Sequence, residues 1–315
     1  MLDPGRADLI SRVPLLPPSI DVRIRCDRHR RARLFGLWVA GIASGAWAAP
    51  LSLPLWEGSP PNDHATLIAE SIDAAGTVSN VRVPAIDVHL PPREQASGVA
   101  LIVCPGGSYS RVGLFTSGMG TVDYFVPRGV AVIVLKYRTR PPSTAVVADA
   151  LADAKRAVRL VRLHAAEWNI DPSRVGMVGS SAGAHLVLNL ATHWDRGDPG
   201  AAALVDRLSC RPDFIGLLCP WPNNQPVADF PVTRETPPAF VASARDDKVA
   251  PTAFAEGIAA AYGLAGVNCR LWLLEKGGHT AFKLGANRGE GARWPDQLSG
   301  WLENEIMPGP RVRSR

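Results

Sequence analysis

Six stretches of the chain are almost continuously apolar: Val99–Cys104, Val130–Lys136, Val175–Val178, Phe214–Cys219, Phe240–Ala244 and Leu271–Leu274. A strand with one wet face alternates apolar and polar side chains, whereas strands apolar on both faces belong to parallel sheets covered by helices. Val81–Leu90 does alternate, and Pro84, which lacks an N–H, predicts an edge position for it. Between the runs lie segments of helical period. In Val146–Trp168, Val147, Leu151, Ala154, Val158, Val161 and Leu163 fall near one face. Lys155, Arg156, Arg159 and Arg162 fall elsewhere and predict a solvated face. Ala182–His193, Thr252–Leu264 and Trp294–Met307 predict further helices, and proline-rich Pro50–Pro61 predicts an extended lead-in. Strands alternating with helices imply an α/β fold: one domain, a mostly parallel doubly wound sheet with helices on both faces.

The chain has 315 residues, 46% of them hydrophobic and 20% charged, with 29 Gly and 28 Pro. That is enough to bury a full core, and it excludes disordered, collagen-like and disulfide-stapled classes. A net charge of +5 raises the question of nucleic acid, but the excess is local. Residues 1–48 hold eight arginines against four aspartates, leaving about +1 for all the rest. The globular part has no electrostatic case for binding phosphate backbones.

The basic N-terminal part predicts export instead. R-H-R-R-A-R (28–33) precedes an apolar run of about 13 residues and then Ala46-Trp47-Ala48. Small residues at −3 and −1 predict cleavage after Ala48 or one residue later, and the run is short for a membrane span. Residues 1–48 are therefore expected to be an export signal, residues 49–315 a catalytic domain, periplasmic or secreted, with no stable membrane insertion after cleavage. The proline-rich stretch before the arginines is long for such a signal, as if the start site were assigned too far upstream. Cys104 and Cys219 end apolar runs and are expected as buried thiols; a Cys210–Cys269 bridge stays open. No cysteine spacing matches a metal site.

Chemistry enters at Gly179-Ser180-Ser181-Ala182-Gly183, a G-x-S-x-G between a strand and an apolar helix. In that context the motif is a nucleophile elbow, a sharp turn that lifts Ser181 above the sheet at a helix N-terminus. A serine hydroxyl needs a histidine base, and the base an acid partner, in the chain order Ser, Asp/Glu, His, each following a later strand. Asp246-Asp247 follows Phe240–Ala244, and His279 follows Leu271–Leu274. His279 is the only histidine after the elbow helix; either aspartate meets the order. Gly106-Gly107-Ser108-Tyr109 follows the strand ending at Cys104, where amides of Gly107 and Ser108, with that of Ala182, would bind an oxyanion. His185, one turn beyond Ser181, reads as a packed histidine buttressing the elbow. Tyr109 would line the mouth of the site or pack over the loop, and Trp221 would stack on a sugar or serve the core.

Several stretches carry a resemblance: L-P-L-W-E-G, N-V-R-V-P-A-I-D-V-H-L-P, I-V-C-P-G-G-S-Y-S-R, V-L-K-Y-R, A-A-E-W-N-I-D-P-S-R-V-G, G-S-S-A-G-A-H-L and K-G-G-H. Spread over residues 52–307, they resemble the α/β-hydrolase superfamily, and within it exported bacterial esterases related to acetylxylan esterases. The resemblance implies Ser181, Asp247 and His279 as nucleophile, acid and base, with Asp247 four residues before Pro251 matching the family's acid. Ser108 stands where a third glycine is usual, and Phe115–Phe125 lacks the family's His-Glu-Gly pattern.

The expected activity is hydrolysis of short acyl esters, acetate above all, on polysaccharide or another carbohydrate ester, with an acylated carbohydrate or small ester as substrate and no metal or organic cofactor. Alternatives are a general carboxylesterase, lipase-like or peptidase activity on the same fold, and a non-catalytic hydrolase-like binding protein. Glycosidase chemistry would need paired carboxylates across a sugar cleft, and no motif supplies them.

Overall fold

The structure, a computed structural model, describes residues 50–62, 68–140, 144–284 and 289–307. The predicted export signal lies outside the described residues.

Eight strands form one sheet: β1 (Leu51–Pro54), β2 (Ala85–His89), β3 (Ala100–Cys104), β4 (Ala131–Lys136), β5 (Val175–Ser180), β6 (Ile215–Leu218), β7 (Ala239–Ala244) and β8 (Cys269–Leu274). Their order is β1-β2-β4-β3-β5-β6-β7-β8. The pairs from β4 to β8 are parallel, and β1–β2 and β2–β4 are antiparallel. Among the described residues five α-helices accompany it: α1 (Gly120–Phe125), α2 (Thr144–Leu163), α3 (Ala182–Thr192), α4 (Thr252–Ala265) and α5 (Trp294–Trp301). Among the described residues no helix is long and apolar enough to cross a membrane.

The uninterrupted apolar runs now have their physical reason. In β3, Ile102 and Cys104 join the core that includes α2, α3 and α4 residues, while Leu101 and Val103 join the core of α1 and α5. Each central strand is buried on both faces, so each needs apolar side chains at every position.

Two expectations change, and one open alternative closes. Pro84 does not mark an edge: it stands one residue before β2, which lies inside the sheet, and its carbonyl accepts from Leu55 N–H at 3.0 Å. The edge on that side of the sheet is β1, formed by the stretch read as an extended lead-in. The arginines of α2 are not a solvated face. Arg156 donates to Asp206 and to the Leu55 carbonyl, Arg159 to Asp195, and Arg162 to Asp213, which clamps α2 to the 195–213 segment. Finally, all four described cysteines are free thiols, so Cys210 and Cys269 are not bridged; Cys104 and Cys219 are buried, as read.

A buried charge fixes the approach to β1. The Asp153 carboxylate on α2, fully enclosed, accepts from the Arg138 guanidinium and backbone N–H and from Trp56 Nε1 (2.9 Å). Removing one partner of such a pair strands the other charge out of water. Asp153→Ala is therefore expected to lower the unfolding free energy by about 3 kcal/mol in urea titration. A loss below about 1 kcal/mol would mean that Asp149, 3.7 Å from Arg138, carries the compensation alone.

Candidate active site

β3 and β5 are neighbours, yet the chain leaves β3 toward β4 on one side and reaches β5 on the other. Loops at the carboxyl ends of two such strands diverge and leave a crevice, the usual place for a site in an open α/β sheet. The loops after β3, β5, β7 and β8 converge there.

Ser181 sits between β5 and α3 at φ 54° and ψ −121°, a backbone conformation costly for a residue with a Cβ. The turn is so tight that a Cβ on Gly179 would stand 2.2 Å from the Gly183 carbonyl oxygen, and one on Gly183 2.0 Å from that of Cys104. This is why the motif needs glycine two residues either side of the serine. Ser181 Oγ lies 2.9 Å from His279 Nε2, and His279 Nδ1 lies 2.7 Å from Asp247 Oδ2. The three side chains form one hydrogen-bonded line from a fully buried carboxylate to a partly exposed imidazole.

The geometry separates the two aspartates. Asp247 gives Oδ2 to His279, and its Oδ1 accepts the N–H groups of Val249 and Ala250 at 2.7 and 2.9 Å. Asp246 accepts the N–H groups of Gly277 and Gly278 at 3.1 and 2.8 Å, which hold its carboxyl below the usual range. One aspartate touches the imidazole; the other pins the turn that presents it.

Opposite Ser181 runs the loop after β3. A Cβ on Gly106 would stand 2.9 Å from the Ser180 carbonyl oxygen and 3.2 Å from Ser181 Cβ, so this backbone lies directly against the elbow. Gly107 and Ser108 line the cavity in front of Ser181. Ala182 opens α3, where N–H groups have no acceptor within the helix. Gly107, Ser108 and Tyr109 have φ of 148°, 53° and 58°, three successive residues on the left-handed side. For Ser108 and Tyr109 such a backbone costs roughly 1–2 kcal/mol each.

The cavity holds about 500 Å³. Its buried end is lined by Val103, Val178, Leu218 and Phe282, and its rim by exposed Asp73, Arg111 and Lys283 with half-buried Thr77. The rim was missed in the sequence. Ser71–Ile72, Thr77–Ser79 and Arg111–Gly113 form a small antiparallel sheet, anchored through buried Val78 and Val112. Strands of two or three residues are too short to show an alternation.

Two expected contacts are not made. Tyr109 is 1% exposed and does not line the cavity: its left-handed backbone turns the ring inward, 6.0 Å from Tyr137 and 5.6 Å from His185 between centroids. Trp221 is half-buried against the cores on both faces of the sheet and is not among the residues lining the cavity. His185 is enclosed, as expected from its place on α3.

Cys219 Sγ, Asp247 and His279 bring three potential metal-ligating atoms within 4.8 Å of one another. Asp247 and His279 are already committed to each other, and burial pushes the Cys219 thiol up to about 12, so no thiolate is on offer near neutral pH.

A family model described as BD-FAE matches residues 86–198. An acetylxylan esterase from Xylanibacter ruminicola is 28% identical over 240 residues, covering 69% of this chain and 48% of that protein. The chain thus spans about half the length of that curated relative. Among solved structures, an acetyl ester-xyloside bifunctional hydrolase from Caldicellulosiruptor lactoaceticus is similar at 28% identity and a TM-score of 0.65, covering 82% of this chain and 98% of the other. A Thermogutta terrifontis esterase shares the fold at 21% identity and a TM-score of 0.56, over 72% of this chain and 92% of the other. The chain has the α/β-hydrolase fold, and its segment 86–198 matches the BD-FAE family model.

One consequence is read in stability. Burial drives the His185 imidazole down to about 4, from 6.5. Between those values the unfolded chain binds a proton that the folded protein refuses, so this contribution is complete above pH 6.5 and is lost as pH falls toward 4. Urea unfolding at pH 7 and 4.5 is expected to show a pH-dependent loss about 2–3 kcal/mol smaller in His185→Asn than in the parent.

Proposed function

We propose that this chain is a serine hydrolase of carboxylic esters, acting on short acyl groups, acetate first, carried by a carbohydrate. The observation that carries the reading is the line Ser181–His279–Asp247 opening on a cavity whose near wall is the backbone of Gly107 and Ser108. Ser181 Oγ attacks the acyl carbonyl while His279 Nε2 takes its proton. Asp247 fixes the imidazole with its Nδ1–H toward Oδ2 and stabilises the imidazolium. The amides of Gly107, Ser108 and Ala182 receive the oxyanion. His279 then protonates the leaving hydroxyl, and a water that gives its proton to His279 releases the acid.

The cavity supports the choice of ester. Its buried apolar end has room for a small acyl group, and its rim of carboxylate, hydroxyl and two cations suits the hydroxyls of a sugar. The names of the acetylxylan esterase and of the acetyl ester-xyloside hydrolase point the same way. Cleavage of the glycosidic bond itself is less well served: it calls for two carboxylates about the reacting bond, and the described lining has one, Asp73. Export belongs to the same reading, since a polysaccharide substrate lies outside the cell, and the mass of the mature protein tests cleavage after Ala48.

The parent chain is expected to release acetate from acetylated xylo-oligosaccharides, and Ser181→Ala to fall by at least about 10³-fold. Cleavage of an aryl acetate without release from the oligosaccharide keeps the hydrolase and removes the sugar assignment. Silence on both sinks the reading. The aspartates separate by a second comparison: Asp247→Asn is expected to lower kcat about 10⁴-fold and Asp246→Asn less than about tenfold. The reverse order would move the acid to Asp246.

A further inference from the structure

Buried Tyr109 and His185 and half-buried Gln225 form a hydrogen-bonded chain that no step above uses. Tyr109 Oη lies 2.7 Å from His185 Nδ1, and His185 Nε2 lies 2.7 Å from Gln225 Oε1. Gln225 Oε1 can only accept, so Nε2 carries the imidazole proton and Nδ1 accepts from the Tyr109 hydroxyl. The neutral ring this requires is the form that burial favours.

The chain joins the three segments around Ser181. Tyr109 ends the left-handed run Gly107-Ser108-Tyr109, which carries two of the oxyanion donors. His185 stands one turn into α3, its N–H bonded to the Ser181 carbonyl at 3.1 Å. Gln225 belongs to the loop after β6, where Trp221 N–H reaches the Ser181 carbonyl at 3.4 Å. Other ties brace the strained loop at its backbone: Tyr137 Oη to the Pro105 carbonyl, Gly113 N–H to Gly106 and Arg140 N–H to Tyr109. Among the described residues, the Tyr109–His185 bond ties this loop to the elbow helix side chain to side chain, across 76 residues.

We infer that Tyr109 and His185 are positioning residues: their hydrogen bond sets the oxyanion donors of Gly107 and Ser108 at a fixed distance from Ser181, and so serves the transition state rather than substrate binding. The inference rests on the esterase reading. An oxyanion hole works only where its donors meet the oxygen of the tetrahedral state, and a shift of about 0.5 Å in such a constellation is enough to matter. The ground-state carbonyl makes weaker demands, so the loss belongs in kcat.

The test measures kcat and KM on an aryl acetate, at a temperature well below the Tm of each variant, for the parent chain, Tyr109→Phe, His185→Leu, His185→Asn and the double variant Tyr109→Phe/His185→Leu. Tyr109→Phe keeps the packed ring and removes one hydroxyl; it is expected to lower kcat about 10- to 100-fold with KM within about twofold. His185→Leu should match it, and the double variant should lose no more than either single one, because all three break the same bond. His185→Asn, whose Oδ1 stands where Nδ1 stood, should recover kcat to within about fivefold of the parent. Should His185→Leu not fold, Tyr109→Phe and His185→Asn decide. A Tyr109→Phe kcat within about twofold of the parent, a change in KM alone, or losses that multiply in the double variant would overturn the inference while the esterase stands. A parent chain inactive on the aryl acetate overturns both.

Discussion

The turn at Ser181 is the constraint on which the site depends. A strand and a helix meet there with so little room that neighbouring backbones occupy the space where Cβ atoms at 179 and 183 would be. The close approach holds Ser181 in its strained conformation and lifts its hydroxyl clear of the sheet. Strain of this kind persists only where the surroundings over-determine it. Here β5 lies between β3 and β6, and α3 packs against the sheet through Leu186, Val187 and Leu190 in the larger core. The rigidity of the middle of the sheet is what lets its end be strained.

Around that turn the polar groups are divided with little overlap. Asp247 spends one carboxylate oxygen on the imidazole and the other on two backbone amides, while Asp246 holds the turn that presents the imidazole. The loop after β3 needs bracing of its own, since three successive residues on the left-handed side would otherwise relax. Buried tyrosine hydroxyls supply it from beneath. A buried polar chain of this kind is rigid only when each member is satisfied, and here each has its partner.

The fold was readable because the apolar runs and helical periods report burial on two faces directly, and burial on two faces is what a covered parallel sheet imposes. The order of Ser181, the paired aspartates and His279 was readable because each follows a strand that has to end on the same side of the sheet. The arginines of α2 were misread for a related reason: a charged stripe looks the same in sequence whether water or Asp195, Asp206 and Asp213 face it. Pro84 was misread because the local rule concerns a missing N–H, and that residue falls just outside the strand it was thought to confine to an edge.

By itself the sequence determined what depends on neighbours along the chain: which segments are strands, where the sharp turn must fall, and which residue types could carry a nucleophile, an acid and a base. Only the tertiary structure decided what depends on partners far apart: Asp246 on the turn that presents the imidazole, Tyr109 turned into the core instead of the cavity, and a small sheet from residues 71–79 and 111–113 placed at the rim. The division follows from the physics. Periodicity and turn sterics act over a few residues, whereas a hydrogen bond between side chains 76 positions apart exists only once the core has packed and set their distance.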